Sequence, residues 1–102
     1  MALFDKALNR VDIEQGVVLD PGCVAVLPPL RCGQMNLSVT DGQNVWEFIY
    51  SHTYSGRSPQ PRFTGGWLEF ARVANLRPGN KIYFYENADK ATRARYRIEV
   101  RR

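Results

Sequence analysis

The sequence has little of what hydrolytic, redox or metal chemistry draws on. It holds one histidine, His52, and two cysteines, Cys23 and Cys32, with no close ligand spacing among them. A zinc site is therefore not expected, and no Ser or Cys is tied to His52 by a nucleophile signature. The glycine loops that cradle phosphates in nucleotide-binding proteins are missing; Gly65-Gly66 reads instead as a turn opening a helix. The carboxylates are scattered, with no pair that sequence alone places for acid–base work. The expectation is a protein that is not an enzyme, with no metal, no cofactor and no small-molecule substrate. No apolar run approaches the roughly 20 residues that cross a bilayer, so no membrane role is expected. The first twelve residues carry Asp5, Lys6, Arg10 and Asp12 in place of an apolar leader stretch. An intracellular protein with two free thiols is the corresponding reading. Internal repeats and low-complexity segments are also missing.

What remains is a small basic chain. Its 102 residues fit a single domain spanning 1–102, and 44% hydrophobic with 12% aromatic residues are enough for one core. The net charge is +4 and the isoelectric point about 9.4, a bias toward polyanions.

Strand-like pieces alternate with turn signals at short intervals, which argues for a barrel or sandwich. Leu3, Phe4 and Leu8 open an edge strand, and a polar segment, Asn9 to Gly16, follows. Val17-Val18-Leu19 is a short β-branched run. Asp20-Pro21 predicts a helix start, with Asp20 as cap, ending before Pro28-Pro29. Met35, Leu37 and Val39 alternate with polar residues, Asp41-Gly42 marks a turn, and Val45 to Tyr50 forms the return strand. Trp46, Phe48 and Tyr50 share one face of that strand and read as core. Ser51 to Pro61 has almost nothing to bury and predicts a long loop. Trp67, Phe70, Ala71 and Ala74 recur at helical spacing, and Pro78-Gly79 makes a turn. Ile82 to Tyr85 is a strand. In the last segment Tyr96, Ile98 and Val100 point inward, and Arg95, Arg97 and Arg101 point out.

The long loop is the informative piece. His52, Tyr54, Ser55, Arg57, Ser58, Gln60 and Arg62 form a set suited to a polynucleotide. Arginine can fork to guanine and glutamine can pair with adenine, while hydroxyls hold phosphates. The alternative is a plain surface loop. For the outward arginines of the last strand the choice lies between a solvated sheet face and a supporting phosphate contact.

Three stretches together resemble the plant B3 DNA-binding domain. The first is Leu3-Phe4-Asp5-Lys6-Ala7-Leu8-Asn9-Arg10-Val11-Asp12, and the second is Asp41-Gly42 followed by Val45-Trp46, Phe48 and Tyr50. The third is Phe63-Thr64-Gly65-Gly66-Trp67-Leu68-Glu69-Phe70, then Leu76-Arg77-Pro78-Gly79-Asn80-Lys81-Ile82 and Phe84. The resemblance implies a mainly β fold, a seven-stranded open barrel (a pseudobarrel) with two short α-helices. It implies sequence-specific binding of double-stranded DNA in the major groove by two loop arms, in a transcription factor of the plant nucleus. Carried over by position, the first arm is Asn9 to Gly16 and the second is Ser51 to Arg62. The implied DNA-contacting residues of the first arm are Asn9, Arg10 and Gln15, with Lys6, joined by Lys81, at the margin. The second arm adds the seven residues already named. This sequence departs from the family pattern at Val11 and Asn80, and its first arm carries Asp12 and Glu14, which would repel phosphates if they faced DNA. A protein-interaction module on the same fold, with weak or nonspecific DNA binding, is the second reading. Protein partners or a dimer through other regions stay open.

Overall fold

The computed structural model describes residues 2–30, 33–55, 58–89 and 91–102, with backbone alone at 54, 55, 58 and 59. Seven strands and two α-helices follow one another along the chain. They are β1 (Phe4–Ala7), α1 (Arg10–Gln15), β2 (Val17–Val18), β3 (Gln34–Thr40), β4 (Val45–Ser55), β5 (Ser58–Gly65), α2 (Gly66–Val73), β6 (Lys81–Glu86) and β7 (Tyr96–Arg101). A 3-10 turn, Pro21–Val26, follows β2. The strands form a single sheet in the order β1-β6-β7-β3-β4-β5-β2, with β3 and β7 parallel and the other neighbours antiparallel. The expected mainly β, seven-stranded open pseudobarrel is the observed fold.

Alternation decides which side chains fill it. Leu37 and Val39 on β3, Phe48 and Tyr50 on β4, Phe63 on β5, Ile82 and Phe84 on β6, and Tyr96 and Ile98 on β7 are all buried. Helix α2 adds Trp67, Phe70 and Ala71. Trp67 meets Phe48 edge-to-face at 5.8 Å between ring centres, and Tyr50 meets Phe63 the same way at 6.0 Å. The aromatic stripe expected to be core is core. Gly66 lets α2 start directly behind β5: a β-carbon there would fall 2.3 Å from the Glu47 carbonyl oxygen.

The barrel stays open between its edge strands β1 and β2. Lys6, on the inward side of β1, spans this seam: its Nζ donates to the Val18 carbonyl at 2.5 Å and pairs with the Asp12 carboxylate at 3.4 Å. Phe4 bridges the same seam at 6.3 Å from the Phe63 ring.

Three local expectations are corrected. Residues 51–55 and 58–61 are strand, not loop. Strands β4 and β5 continue as an antiparallel ribbon as far as Ser55 opposite Ser58. Its prolines are tolerated because of their spacing. Pro61 lies opposite His52 and Pro59 opposite Tyr54, and the Pro61 carbonyl accepts from the Leu19 amide at 2.8 Å. In an antiparallel strand the N and C=O of one residue face the same neighbour. The imide nitrogens at 59 and 61 therefore face away from β4, and the β4 ladder loses no donor. The polar segment 9–16 is the second surprise, since it contains helix α1. At Pro21 the predicted α-helix is a 3-10 turn, and Asp20 makes no side-chain cap. Cys23 is a free, half-buried thiol, as expected, whereas Cys32 lies outside the described residues. Among the described residues no helix is long and apolar enough to cross a membrane, and no cluster of metal-ligating side chains occurs.

Candidate nucleic-acid interface

Helix α1 forms because its ends are satisfied locally. Asn9 is the N-cap: its Oδ1 accepts from the Asp12 amide at 2.8 Å, and Asp12 Oδ2 accepts from the Asn9 amide at 3.0 Å. This reciprocal box turns the Asp12 carboxylate inward, where the side chain is 4% exposed and faces Lys6. The Val18 amide also donates to it. Asp12 therefore does not point at a bound polyanion, as the sequence had allowed. Glu14 is exposed but pairs with Arg10 at 3.1 Å, one helical turn away. The Asp12 backbone carbonyl accepts from Trp67 Nε1 at 2.8 Å, which docks α1 against α2.

Gly16 ends the helix at φ 127°, a conformation that favours glycine. A β-carbon there would lie 2.9 Å from Thr64 Cγ2, 3.0 Å from the Phe63 carbonyl oxygen and 3.2 Å from Arg62 Nε. The chain thus passes flush against β5. Arg62 uses the space: its Nη2 donates to the Gln15 carbonyl at 2.9 Å, while its Nε is buried without a hydrogen-bond partner. Leaving that donor unmatched costs about 1–3 kcal/mol. The two predicted arms, 47 residues apart in sequence at this contact, are thereby tied together at their bases.

His52 sits where the ribbon leaves the barrel. Its Nε2 is 2.8 Å from the Tyr50 hydroxyl, and the two rings meet edge-to-face at 5.4 Å. Burial, then the neighbouring Tyr96 and Cys23, push the Tyr50 phenol above its ordinary value, so it stays protonated. Beyond His52 the ribbon pairs Thr53 with Gln60, both half-exposed.

The predicted contact residues divide as follows. Asn9, Arg10 and Gln15 lie exposed on α1 or at its cap. His52, Gln60 and Arg62 line the ribbon and its base. Tyr54, Ser55 and Ser58 lie in the ribbon backbone, with side chains outside the description, and Arg57 lies outside the described residues. Lys6 is directed into the seam between the edge strands, and Lys81 pairs with Asp5 at 3.3 Å on the outer face of the sheet. Sequence reasoning missed the supports, Gly16 and the Trp67 indole N–H. The Asn9–Asp12 spacing was a readable signal for the cap.

No family model matches the sequence, and no curated protein matches it significantly. Solved structures do. The Arabidopsis FUS3–DNA complex superposes with a TM-score of 0.80 at 24% identity, covering 100% of this chain and 98% of that one. The Arabidopsis thaliana transcription factor LEC2, also solved with DNA, gives a TM-score of 0.76 at 20% identity, covering 98% and 92%. A hypothetical Arabidopsis thaliana protein gives 0.59 at 17% identity, covering 96% and 87%. Over its whole length the chain thus has the fold of the domains seen in the FUS3 and LEC2 complexes, the pseudobarrel expected from its resemblance to B3 domains.

Proposed function

We propose that the chain is a B3-type domain that binds double-stranded DNA sequence-specifically in the major groove, as the DNA-reading part of a plant nuclear transcription factor. The observation that carries this reading is the union of the two arms. Helix α1 and the β4–β5 ribbon, far apart in sequence, meet at the Arg62–Gln15 contact. The shared fold with two domains solved on DNA supports the same reading. In it the barrel sets the separation of the arms. Arg10, Gln15, Gln60 and Arg57 meet bases and phosphates, and Asn9, His52 and Arg62 hold the arms in place. The chain is a binding module with no catalytic residues.

A specific observation favours a second reading, a protein-docking module with weak DNA binding. Two of the arm-region cations already have carboxylate partners, Arg10 with Glu14 and Lys6 with Asp12. Selection from a randomised duplex pool separates the two. The first reading predicts one enriched motif, lost on replacing Arg57 and Gln60 together by alanine. A pool that stays unenriched overturns it.

A further inference from the structure

The basic excess of this chain is not on its arms. Residues 9–16 and 51–62 together hold Arg10, Arg57 and Arg62 against Asp12 and Glu14, a net of +1. Residues 93–102 hold five arginines and one glutamate, a net of +4, equal to the charge of the whole chain. The remaining nine cations and nine carboxylates of residues 1–92 cancel.

This charge sits on β7 and its approach. Strand β7 is separated from β5 by β3 and β4 in one direction, and from β2 by β6, β1 and the open seam in the other. In the sheet order β7 is thus a neighbour of neither β5 nor β2. Arg97 is neutralised there by Glu99, which also accepts from the Tyr85 hydroxyl at 3.1 Å. Among the described residues, Arg93, Arg95 and Arg101 have no carboxylate within ion-pair distance. Two of them are held by aromatic rings, Arg95 at 5.3 Å from the Tyr96 ring centre and Arg101 at 4.9 Å from that of Tyr83. Lys81 also lies over Tyr83, at 5.4 Å, and stands directly opposite Arg101 in the β6–β7 register. Like charges opposed across a ladder repel each other. Asp5 offsets only part of this.

We infer that the outward face of β7, with Lys81, is a second nucleic-acid contact that takes the phosphate backbone of another duplex segment. The inference rests on the arms holding one duplex, as proposed above, but not on their reading its sequence. Successive outward residues on a strand are about 6.6 Å apart, so Arg97, Glu99 and Arg101 line up along β7, with Arg93 and Arg95 exposed on its approach. The outward aromatics of this face, Tyr83 and Tyr85, are half-exposed and lie under Lys81, Arg101 and Arg97, so the face presents cations rather than a bare apolar centre. A protein partner needs an apolar centre to its interface, whereas a phosphate backbone does not.

The test uses two short duplexes of unrelated sequence, one carrying a donor fluorophore and one an acceptor, with the chain kept monomeric as judged by size exclusion. The expected result is energy transfer that falls as salt rises. Replacing Arg93, Arg95 and Arg101 together by glutamine should abolish the transfer and lower the salt slope of total duplex binding by about 2.7, three contacts at ~0.9 each. Lysine at the same three positions should keep both. Should the triple glutamine variant fail to melt cooperatively, Arg101→Gln alone should lower the slope by about 0.9. An unchanged slope in the glutamine variants, loss of transfer in the lysine variant, or polyglutamate displacing duplex more strongly than a competing duplex would overturn the inference. Wild type that enriches one motif yet never bridges sinks this inference alone. Bridging without an enriched motif sinks the proposed function alone.

Discussion

The two segments proposed as arms meet at the Arg62–Gln15 contact but are held in different ways. Helix α1 is tied back at every turn: Asn9 and Asp12 cap each other, Lys6 holds Asp12, and the Trp67 indole holds the Asp12 carbonyl. The ribbon has side-chain anchors at its base, where Tyr50 and Phe63 are fully buried and Arg62 reaches Gln15. Farther out, its described support is the β4–β5 backbone ladder. The same two strands therefore serve as core at one end and as a polar prong at the other. Backbone pairing continues past the half-exposed pair Thr53 and Gln60, because a ladder needs donors and acceptors but no apolar face. Among the described residues, α1 is anchored by side chains along its length, and the side-chain anchors of the ribbon lie at its base.

The largest test of this contrast is Trp67→Ala, which removes the core of α2 and the anchor of α1 together. A loss of about 3–5 kcal/mol in urea unfolding is expected. A loss near that of an ordinary surface change would mean that α1 is not docked as described. Next is Asp12→Ala. It deletes half of the capping box and leaves Lys6 in the seam without its carboxylate. Because Lys6 is a quarter exposed, the cost is below that of a fully buried pair, about 2–3 kcal/mol, and amide exchange should quicken in α1 but not in the ribbon. On the ribbon the expectation reverses. Gln60→Ala should leave stability within about 0.5 kcal/mol, as for most surface changes, yet weaken binding of a selected duplex by about 1–3 kcal/mol. A melting shift without a binding change would make the ribbon a structural element only.

The smallest effect concerns the opposite end of β4. Burial alone would raise the Asp41 carboxyl, but the amides of Asn44 and Gln43 and the Trp46 indole outweigh it and hold the group below its ordinary value of 3.8. A depressed carboxylate contributes stability above its unfolded value and loses it as pH falls through the folded one. The β3–β4 turn should therefore lose support only below about pH 3.8, and Asp41→Asn should flatten that part of the acid melting curve. An unchanged acid limb in the variant would deny Asp41 this role.

Much of the barrel was legible because alternation and burial coincide. Leu37 and Val39, Phe48 and Tyr50, and Tyr96 and Ile98 each announce a strand, and Trp67 with Phe70 and Ala71 announces α2. The secondary structure of the two segments proposed as arms was not legible. Helix α1 is six residues long, too short for its period to show, and Val11 on it is 54% exposed. The ribbon was obscured by Pro59 and Pro61, which break a strand pattern unless their bare nitrogens are known to face the far edge. Charge was the least legible feature. The net of +4 did not say where the excess lies; by count it falls on residues 93–102, while Arg10 of the first arm is paired with Glu14.

The most direct measurement is an amide footprint by nuclear magnetic resonance, titrating the chain with a duplex recovered from the randomised pool and washed at high salt. Seating between the arms predicts that signals of residues 9–16 and 51–62 move together, with one midpoint. Movement of the ribbon while α1 stays still, or of neither, would contradict a two-armed grip.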